Sequence, residues 1–600
     1  MLINFITRHF PGLRKSEGIL RSGTDYTLFF ISFFAFGIAV WDTGFPQSER
    51  TQLILDFFYK VYFAGNGLFY VSRYLLLFRH HKLSLVAITN LLLGAVLLFE
   101  YSLSLILGRP YILGSFFHLS SVYKTITALL FIFELSRLDF FRFFAKLNPP
   151  QIFIISFGSI ILTGALFLMM PQATTQHIYF VDAFFTATSA VCVTGLTVVD
   201  TATGFTMLGK AIILALIQIG GLGIMTFTSF FAVFFKGTQT FREKQVLQEW
   251  LNDPSLASIR HTLSKVVLFM LLVECTGIIL IYLSLDPQHF EKAQGFRFAV
   301  FHAISAFCNA GFSTYSDNLF NYRVRDNTAV LYIISSLIVI GGIGFPVVLN
   351  LYDLVKAKLR NYYEKRIKRF RYVPAFGLLN INTRLVLITT FILIIGAAFF
   401  FYVFENNHSL REMPLSQKIA HSFLGAITPR TAGFNAVNMS LLSSPAILMT
   451  MALMWIGASP VSTGGGIKTT TFAVALLNLS KIIKGKERIE IFKRAIDPNA
   501  VGRAFAIMFF SFIILGVGAF TIYLIEPHIS MLKIAFECFS AYGTVGLSLG
   551  ITPLLTTTSK MILVLLMFFG RMGTITLLMV FVSHPKSRPY RYPSDTIVIT

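Results

Sequence analysis

Apolar residues along this chain come in runs of about 20, the length a helix needs to cross a hydrocarbon core of roughly 30 Å, and such runs recur from residue 26 almost to the end. In the last three quarters the runs follow one pattern. A long apolar segment gives way to a half-length amphipathic one, then to a glycine-centred segment, then to another long apolar segment. These are Gln151–Met170, Val181–Ala190 and Met207–Phe234; then Val266–Leu285, Phe298–Ala306 and Ala329–Leu351. Two further sets are Leu385–Phe404, Ile419–Ile427 and Pro445–Leu479, and Ala504–Ile525, Lys533–Ser540 and Met561–Ser583. The half-length pieces, about ten residues or roughly 15 Å as helix, are too short to cross and must dip in and return.

The glycine segments align with one another: SAVCVTGLT (Ser189–Thr197), SAFCNAGFS (Ser305–Ser313), ITPRTAGFN (Ile427–Asn435) and SAYGTVGLS (Ser540–Ser548). Their glycines, Gly195, Gly311, Gly433 and Gly546, are 116, 122 and 113 residues apart, so the chain carries a repeat of nearly constant period. One such glycine is explained by a close helix contact. Four in register call for a shared task. Irregular backbone at membrane depth is tolerated where protein surrounds it or where it lines a water-filled cavity, and four re-entrant loops about one axis meet that condition. A ring of their carbonyls can replace the hydration shell of an alkali cation. Glycine suits the centre because it reaches backbone angles closed to other residues and projects nothing inward.

Composition agrees with a polytopic membrane protein: of 600 residues, 55% are hydrophobic and 13% charged, with a mean hydropathy of +0.70. The net charge of +22 reads as topology rather than nucleic-acid binding. About 33 of the 50 Lys and Arg fall in one alternating set of loops and tails, the asymmetry that marks a cytoplasmic face. KAKLRNYYEKRIKRFR (Lys356–Arg371) and KIIKGKERIEIFKR (Lys481–Arg494) belong to it, beside anionic membrane lipid. Both termini are expected to be cytoplasmic, and the first 25 residues lack the long apolar core and cleavage site of a signal peptide. Cys192, Cys275, Cys308 and Cys538 show no paired short spacing, which supports neither a disulfide framework nor a zinc site.

The expected fold is therefore an all-α polytopic membrane protein: four concatenated helix, pore-loop, helix repeats around a pseudo-fourfold central pore, after a four-helix amino-terminal bundle. About twelve transmembrane helices result. The expected boundaries are 1–25 for a cytoplasmic amino terminus, 26–150 for the bundle, 151–235 and 236–352 for the first two repeats, 353–480 and 481–583 for the last two, and 584–600 for a cytoplasmic tail. The bundle segments are Tyr26–Trp41, Leu53–Phe78, Leu83–Leu107 and Ile112–Glu134, with basic loops at Arg79–Lys82 and Ser136–Lys146. A voltage sensor needs Arg at every third position of one helix. The fourth segment offers only Lys124 before Arg137, so a packing or dimer-stabilising role is expected.

Two features lie outside the repeat pattern. GASPVSTGGGIKTTT (Gly457–Thr471) has the glycines of a phosphate loop, but Ile467 stands where the motif needs Gly before its Lys. It sits inside Pro445–Leu479, a run of 35 residues that would be roughly 50 Å long as one helix, so it breaks a helix too long for the bilayer. A passive kink is the plainer explanation. Arg571, about ten residues into the last apolar segment, must face a pore or accepting carbonyls, since an unpaired charge there is costly. An electrostatic barrier, a clamp on the loop's carbonyls through its planar fork and a salt bridge are all open. Lys468 is either an anchor at the inner interface, the favoured expectation, or a polar contact of the loop. Asp182, Asp200, Asp317 and Glu537 are candidates for the outer mouth, Asp182 equally for a helix cap.

The glycine segments TATSAVCVTGLTVVDT, FHAISAFCNAGFSTYSDNL, AITPRTAGFN and FECFSAYGTVGLSLGITP resemble the Trk/Ktr/HKT superfamily of cation uptake proteins, above all the bacterial Ktr-type pore subunit. The likeness covers Gln151–Thr600. It implies a potassium filter at Val193, Thr194 and Gly195; Asn309, Ala310 and Gly311; Thr431, Ala432 and Gly433; and Thr544, Val545 and Gly546, with potassium the transported ion and no cofactor. Sodium-selective relatives tend to carry Ser where Gly195 stands. The likeness also implies a gate under the filter, made of Gly457, Ser459, Pro460, Ser462, Thr463, Gly464, Gly465, Gly466 and Lys468 with Arg571. Arg430, in the third filter segment, is expected to turn away from the pore and bond filter backbone. A homodimer in the plasma (cell inner) membrane and a cytosolic ring of nucleotide-binding regulatory domains are implied as well. The ring would contact basic loops and the tail Ser587–Thr600. Potassium uptake through a gated pore is the expected function. Symport with sodium or protons, with Glu274 as candidate site, is the alternative; a membrane NTPase on the glycine loop is a more distant one.

Overall fold

The computed structural model describes residues 11–78, 95, 119–135, 149–223, 259–367 and 379–573. Three helices come first: α1 (Pro11–Gly44), α2 (Glu49–Phe78) and α3 (Leu119–Leu135). They share a core of Leu28, Ala35, Tyr59, Phe63, Tyr70, Tyr123 and Leu130. At one point a carboxylate joins all three, for Asp42 accepts from the Tyr59 hydroxyl at 3.1 Å and pairs with Lys124 at 3.1 Å. The expected segment Leu83–Leu107 and the basic loops Arg79–Lys82 and Ser136–Lys146 lie outside the described residues.

Four sets of helices follow. The first is α4 (Pro149–Leu168), α5 (Phe180–Val191) and α6 (Met207–Gly221); the second is α7 (Ile259–Ser284), α8 (Lys292–Phe307) and α9 (Thr328–Ile343), extended by α10 (Phe345–Ile367). The third is α11 (Ile381–Glu405), α12 (Leu415–Ile427), α13 (Ser444–Trp455) and α14 (Thr469–Ile483), and the fourth is α15 (Pro498–Ile525), α16 (Met531–Gly543) and α17 (Thr557–Met572). A two-stranded hairpin, β1 (Glu490–Ile491) and β2 (Arg494–Ala495), joins α14 to α15.

Buried polar groups fix how each outer helix meets its inner one. Glu405, at the end of α11, accepts from the backbone and hydroxyl of Ser443, the cap of α13, at 2.9 and 2.7 Å. Glu526, just past α15, accepts from Thr556 N ahead of α17 at 2.8 Å. A carboxylate at a helix amino terminus satisfies orphan N–H groups and meets the positive end of the dipole.

The inner helices also close tightly on the short ones. A Cβ built on Gly220, Gly341 or Gly570 would come within 2.1, 1.9 and 1.8 Å of the carbonyl oxygens of Val191, Phe307 and Tyr542. Gly341→Ala is therefore expected to lower the melting temperature of the purified protein, costing about 1–3 kcal/mol of overpacking. Gly516→Ala, with no heavy atom within 4 Å of its added Cβ, should leave the melt unchanged or slightly raise it.

Among the described residues, four helices are long and apolar enough to cross a membrane: Tyr26–Gly44, Ser264–Ser284, Ile381–Glu405 and Pro498–Ile525. Their outward faces expose Leu268, Leu272, Phe391, Phe399, Phe509 and Phe520, surface that suits lipid rather than water. Of the inner runs Met207–Phe234, Ala329–Leu351 and Met561–Ser583, the second lies wholly within the described residues. The second such run does not continue as one helix but bends by 96° between α9 and α10. Its cause is Gly344, at φ 96°, followed by Pro346. The described parts of the other two stop at Gly223 and Gly573. Ile-Gly-Gly-Leu-Gly (219–223), Ile-Gly-Gly-Ile-Gly (340–344), Ile-Gly-Ala-Ser-Pro (456–460) and Phe-Gly-Arg-Met-Gly (569–573) thus end the inner helices α6, α9, α13 and α17 with the same chemistry.

Candidate functional site

The four short helices α5, α8, α12 and α16 all run into the glycine segments at their carboxyl ends. Each terminus carries roughly half a negative charge from its unpaired carbonyls, so four of them directed at one place favour a cation there. Serine hydroxyls tie some of the segments to their helices. Ser189 accepts from Gly195 N at 3.0 Å and Ser540 from Gly546 N at 3.1 Å, and Ser305 donates to Phe312 O at 2.9 Å.

Backbone angles repeat through the segments. Val193, Asn309, Thr431 and Thr544 have φ of 56, 60, 69 and 48°, and Gly195, Gly311, Gly433 and Gly546 have φ of 91, 68, 75 and 91°. Thr194, Ala310, Ala432 and Val545, between them, do not share the left-handed geometry. In a strand successive residues point to opposite sides; inserting left-handed residues at alternate positions instead turns successive carbonyls toward one side, and these strained angles in non-glycine residues cost energy that a packed site must offset.

The segments close into a ring. A Cβ built on Gly195 would lie 2.3 Å from Ala310 O and 3.1 Å from the Gly311 Cα; one on Gly311 would meet Ala432 O at 2.7 Å; one on Gly433 would meet Val545 O at 2.4 Å; and one on Gly546 would meet Thr194 O at 2.1 Å. Each glycine abuts the carbonyl that precedes the next glycine, and the fourth returns to the first. Eleven of the twelve residues expected at this site are buried, and Gly546 is partly exposed.

On one side of the ring lies the 456–468 loop. Gly465 N donates to Thr544 Oγ1 at 3.0 Å, and a Cβ on Gly464 would fall 2.0 Å from Thr431 Oγ1. The loop is hung from three neighbouring helix ends: Ser459 N donates to Gly342 O at 3.1 Å, Thr463 N to Gly341 O at 3.4 Å, Gly466 N to Gly570 O at 3.2 Å, and Phe345 N donates back to Val461 O at 3.1 Å. Arg571, 4% exposed, donates through one terminal nitrogen to Thr463 O in the loop and through the other to Gly220 O in α6. Its fork spans loop and helix end, the geometry of a clamp; no carboxylate takes part. Position by position Arg571 occupies the place held by Gly221, Gly342 and Ala458 in the other three helix ends.

Lys468 departs from the favoured expectation. It does not reach out to an interface, because its Nζ turns back to donate to Gly464 O at 2.7 Å and Gly465 O at 3.4 Å. An ammonium has three donors to satisfy, and a glycine run offers bare carbonyls within reach. Arg430 turns to the outer helix α11 and donates to Thr390 Oγ1 at 3.4 Å instead of to filter backbone. Asp182 does not cap α5; it pairs with Lys560 at 2.7 Å. Glu537 is buried among Ser548, Leu549 N and Thr552. Asp200 accepts from Ala202 N and from the Ser316 hydroxyl, and Asp317 from Asn321. Glu274 lies away from the ring's interior: both its oxygens accept from the Gln218 amide, at 3.1 and 2.9 Å, and the Cys308 thiol is 3.8 Å away.

One residue of the site escaped the sequence reading. Asn318, left-handed at φ 56°, donates its amide to Gly311 O at 3.2 Å and Gly433 O at 3.5 Å. Within TYSDNL, an Asn flanked by turn formers and tolerant of left-handed geometry was the available signal. On the side facing the loop, Asn309 accepts from Thr431 Oγ1 at 3.3 Å when its amide is oriented to donate to Ala306 O and Ile338 O.

Comparison with known proteins agrees with this geometry. Residues 127–592 match the family model described as TrkH, cation transport protein. The chain is 38% identical over 454 residues to the Ktr system potassium uptake protein B of Bacillus subtilis, covering 75% of this chain and 97% of that protein. It is 33% identical over 462 residues to the potassium/sodium uptake protein NtpJ of Enterococcus hirae, covering 76% and 98%. The crystal structure of the potassium transporter TrkH from Vibrio parahaemolyticus superposes with a TM-score of 0.59 at 16% identity, covering 82% of this chain and 96% of that one, a likeness of fold. This is a transport family and not a family of enzymes, which removes the nucleotide-hydrolysing alternative. The chain is a multi-pass membrane protein that belongs to the TrkH family of cation transport proteins.

Proposed function

We propose that this protein takes up potassium through a selective pore formed by four repeats of one chain, that the glycine ring is its filter, and that the 456–468 loop is its gate. The observation that carries the reading is the closure of the ring: each of four left-handed glycines lies against the carbonyl before the next. Such a ring presents backbone oxygens to an ion in place of its water, and the four helix carboxyl ends behind it add negative potential. The names of the relatives supply the ion.

The excess of basic residues supports an orientation with the hairpin, the ends of α10 and α14, and both termini in the cytoplasm and the filter reached from outside. The membrane potential then drives cations inward, about 2.3 kcal/mol per charge for each 100 mV. Directly under the filter, the loop and the buried guanidinium of Arg571 obstruct the path by bulk and by charge. Moving the loop requires breaking the Thr463, Gly341, Gly342 and Gly570 contacts. A cytosolic nucleotide-binding ring, docked on the basic face of a homodimer, is the proposed source of that movement. The twelve-helix layout and the boundaries 151–235, 236–352, 353–480 and 481–583 belong to the same proposal, with residues 26–150 as a peripheral bundle.

Expression in a bacterium lacking potassium uptake is expected to restore growth at low potassium, more strongly when a regulatory partner is supplied; failure with a correctly inserted protein would overturn the reading. In proteoliposomes the reversal potential should follow potassium alone. A shift with sodium or pH at fixed potassium would establish the symport alternative and direct attention to Glu274. Asn318→Gly keeps the backbone free to hold its left-handed angle while removing two hydrogen bonds worth about 1 kcal/mol each. The potassium-to-sodium permeability ratio is expected to fall several-fold, approaching the tenfold that 1.4 kcal/mol represents; an unchanged ratio would leave that amide without a part in selectivity.

A further inference from the structure

Between α11, α14 and α15, beside the hairpin, lies a cavity of about 890 Å³. Its lining is divided. Ile381, Leu385, Val474, Ala504 and Ile507 give it apolar walls, while Arg494 on β2 and Arg503 on α15 stand at the hairpin end, together with Asp497, whose carboxylate is engaged in capping α15 through Asn499 N at 3.1 Å. A third wall is the gate itself, because Pro460 and Val461 of the 456–468 loop face the same space. Arg384 of α11 lies near the hairpin end too, its guanidinium 5.4 Å from the ring of Phe492 between the strands. A ligand that fits must be anionic at one end and apolar at the other. A soluble anion would leave the apolar walls wet, and a neutral hydrocarbon would leave the arginines unused. The space opens among helices whose outer faces carry Phe391, Phe509 and Phe512, the surface assigned to lipid above. Basic pockets between transmembrane helices at the cytoplasmic side are suited to phospholipid headgroups.

We infer that this cavity is a binding site for an anionic phospholipid of the inner leaflet, whose phosphate meets Arg494 and Arg503 and whose chains lie along Leu385, Val474 and Ile507, against the back of the gate. The inference rests on the proposed orientation and gate. A ligand shifts an equilibrium only by its differential affinity for the two states. The loop forms part of the wall, so displacing it dismantles the site, and the bound lipid stabilises the conformation described here, with the loop across the path. Val461, at φ 56°, is held between the lipid on one side and Phe345 N on the other. The site would therefore keep the pore shut until the regulatory partner acts.

The test pairs a binding readout with a flux readout. Native mass spectrometry of the full chain in detergent, titrated with phosphatidylglycerol or with phosphatidylcholine, is expected to show preferential retention of phosphatidylglycerol by the wild type. An Arg494→Gln, Arg503→Gln double variant should lose that preference. Partner-free potassium flux is then compared in vesicles of phosphatidylcholine alone and with phosphatidylglycerol added; it should fall about fivefold with the anionic lipid, a coupling at the low end of those typical between sites, and the double variant should not respond. Soluble glycerol phosphate added to phosphatidylcholine vesicles should have no effect, and if it reproduces the drop the ligand is a free phosphate ester and the lipid assignment is wrong. Equal retention of phosphatidylglycerol by wild type and variant, or an unchanged flux response in the variant, overturns the site. Absence of flux in every vesicle with lipid preference intact would count against the pore instead, so the two failures are distinguishable.

Discussion

Gly195→Ser is expected to erase most of the preference for potassium over sodium, lowering the permeability ratio at least about tenfold, equivalent to 1.4 kcal/mol, or to abolish uptake. The reason is local. The added Cβ would lie 2.3 Å from Ala310 O and 3.1 Å from the Gly311 Cα, so the carbonyl before the next glycine must move. The serine would also sit at φ 91°, a region that side chains disfavour by roughly 1–2 kcal/mol. A filter that discriminates between two alkali ions depends on where its oxygens stand and how freely they yield, and both change at once. Reversal potentials with sodium on one side and potassium on the other provide the measurement. Gly516→Ser, made on an outer helix with no atom within 4 Å of the new Cβ, is the control. If Gly195→Ser retains wild-type selectivity, the ring is not the filter.

Removing Gly464 to Gly466 is expected to raise partner-free potassium flux by an order of magnitude or more. The deletion shortens the loop by about 10 Å of reach. It eliminates the N–H that bonds Thr544 Oγ1, the carbonyls that hold Lys468, and the backbone lying against Thr431. What is left cannot span from Ile456 to Lys468 by the same route. To separate gating from assembly, Arg571→Gln supplies a gentler version: it retains a donor but loses the charge and the double reach to Thr463 O and Gly220 O, and flux should rise with it. Equal or reduced flux in both variants, with each protein monodisperse and inserted, would show that the loop is not what blocks the path.

Much of the architecture could be read from the chain because membrane folds are written in segment length and periodicity. The four short helices and the left-handed glycines occupy the places where the half-length runs and aligned glycines put them. The expected break in Pro445–Leu479 falls between Trp455 and Thr469, since three glycines cannot hold a helix against the alternatives. Legibility ended where hydropathy stopped discriminating. Isolated glycine is common in membrane helices, so Gly344 gave no warning of a right-angled bend. The partner of a buried charge depends on which groups lie within reach, and this is why Arg430 meets Thr390 instead of nearby backbone and Lys468 takes the loop contact instead of the favoured interface anchor. Asn318 had no hydropathy signature at all; its contacts follow from a loop that brings it back over two glycines of the ring.

The comparison of the four helix ends has a consequence for how such a protein can evolve and be controlled. Gly221, Gly342, Ala458 and Arg571 occupy one position in four versions, and the third helix end runs on into a long loop, 456–468, before its next helix. Four identical chains could not do this, because a bulky loop or an arginine introduced once would appear four times and fill the axis. Joining the quarters in one polypeptide lets them specialise; in the proposed gate one supplies the latch, another the catch, and two the frame against which it would close. On the proposed reading, opening is a sideways swing of a single part instead of a concerted widening, and a regulator would work it by leverage from one flank.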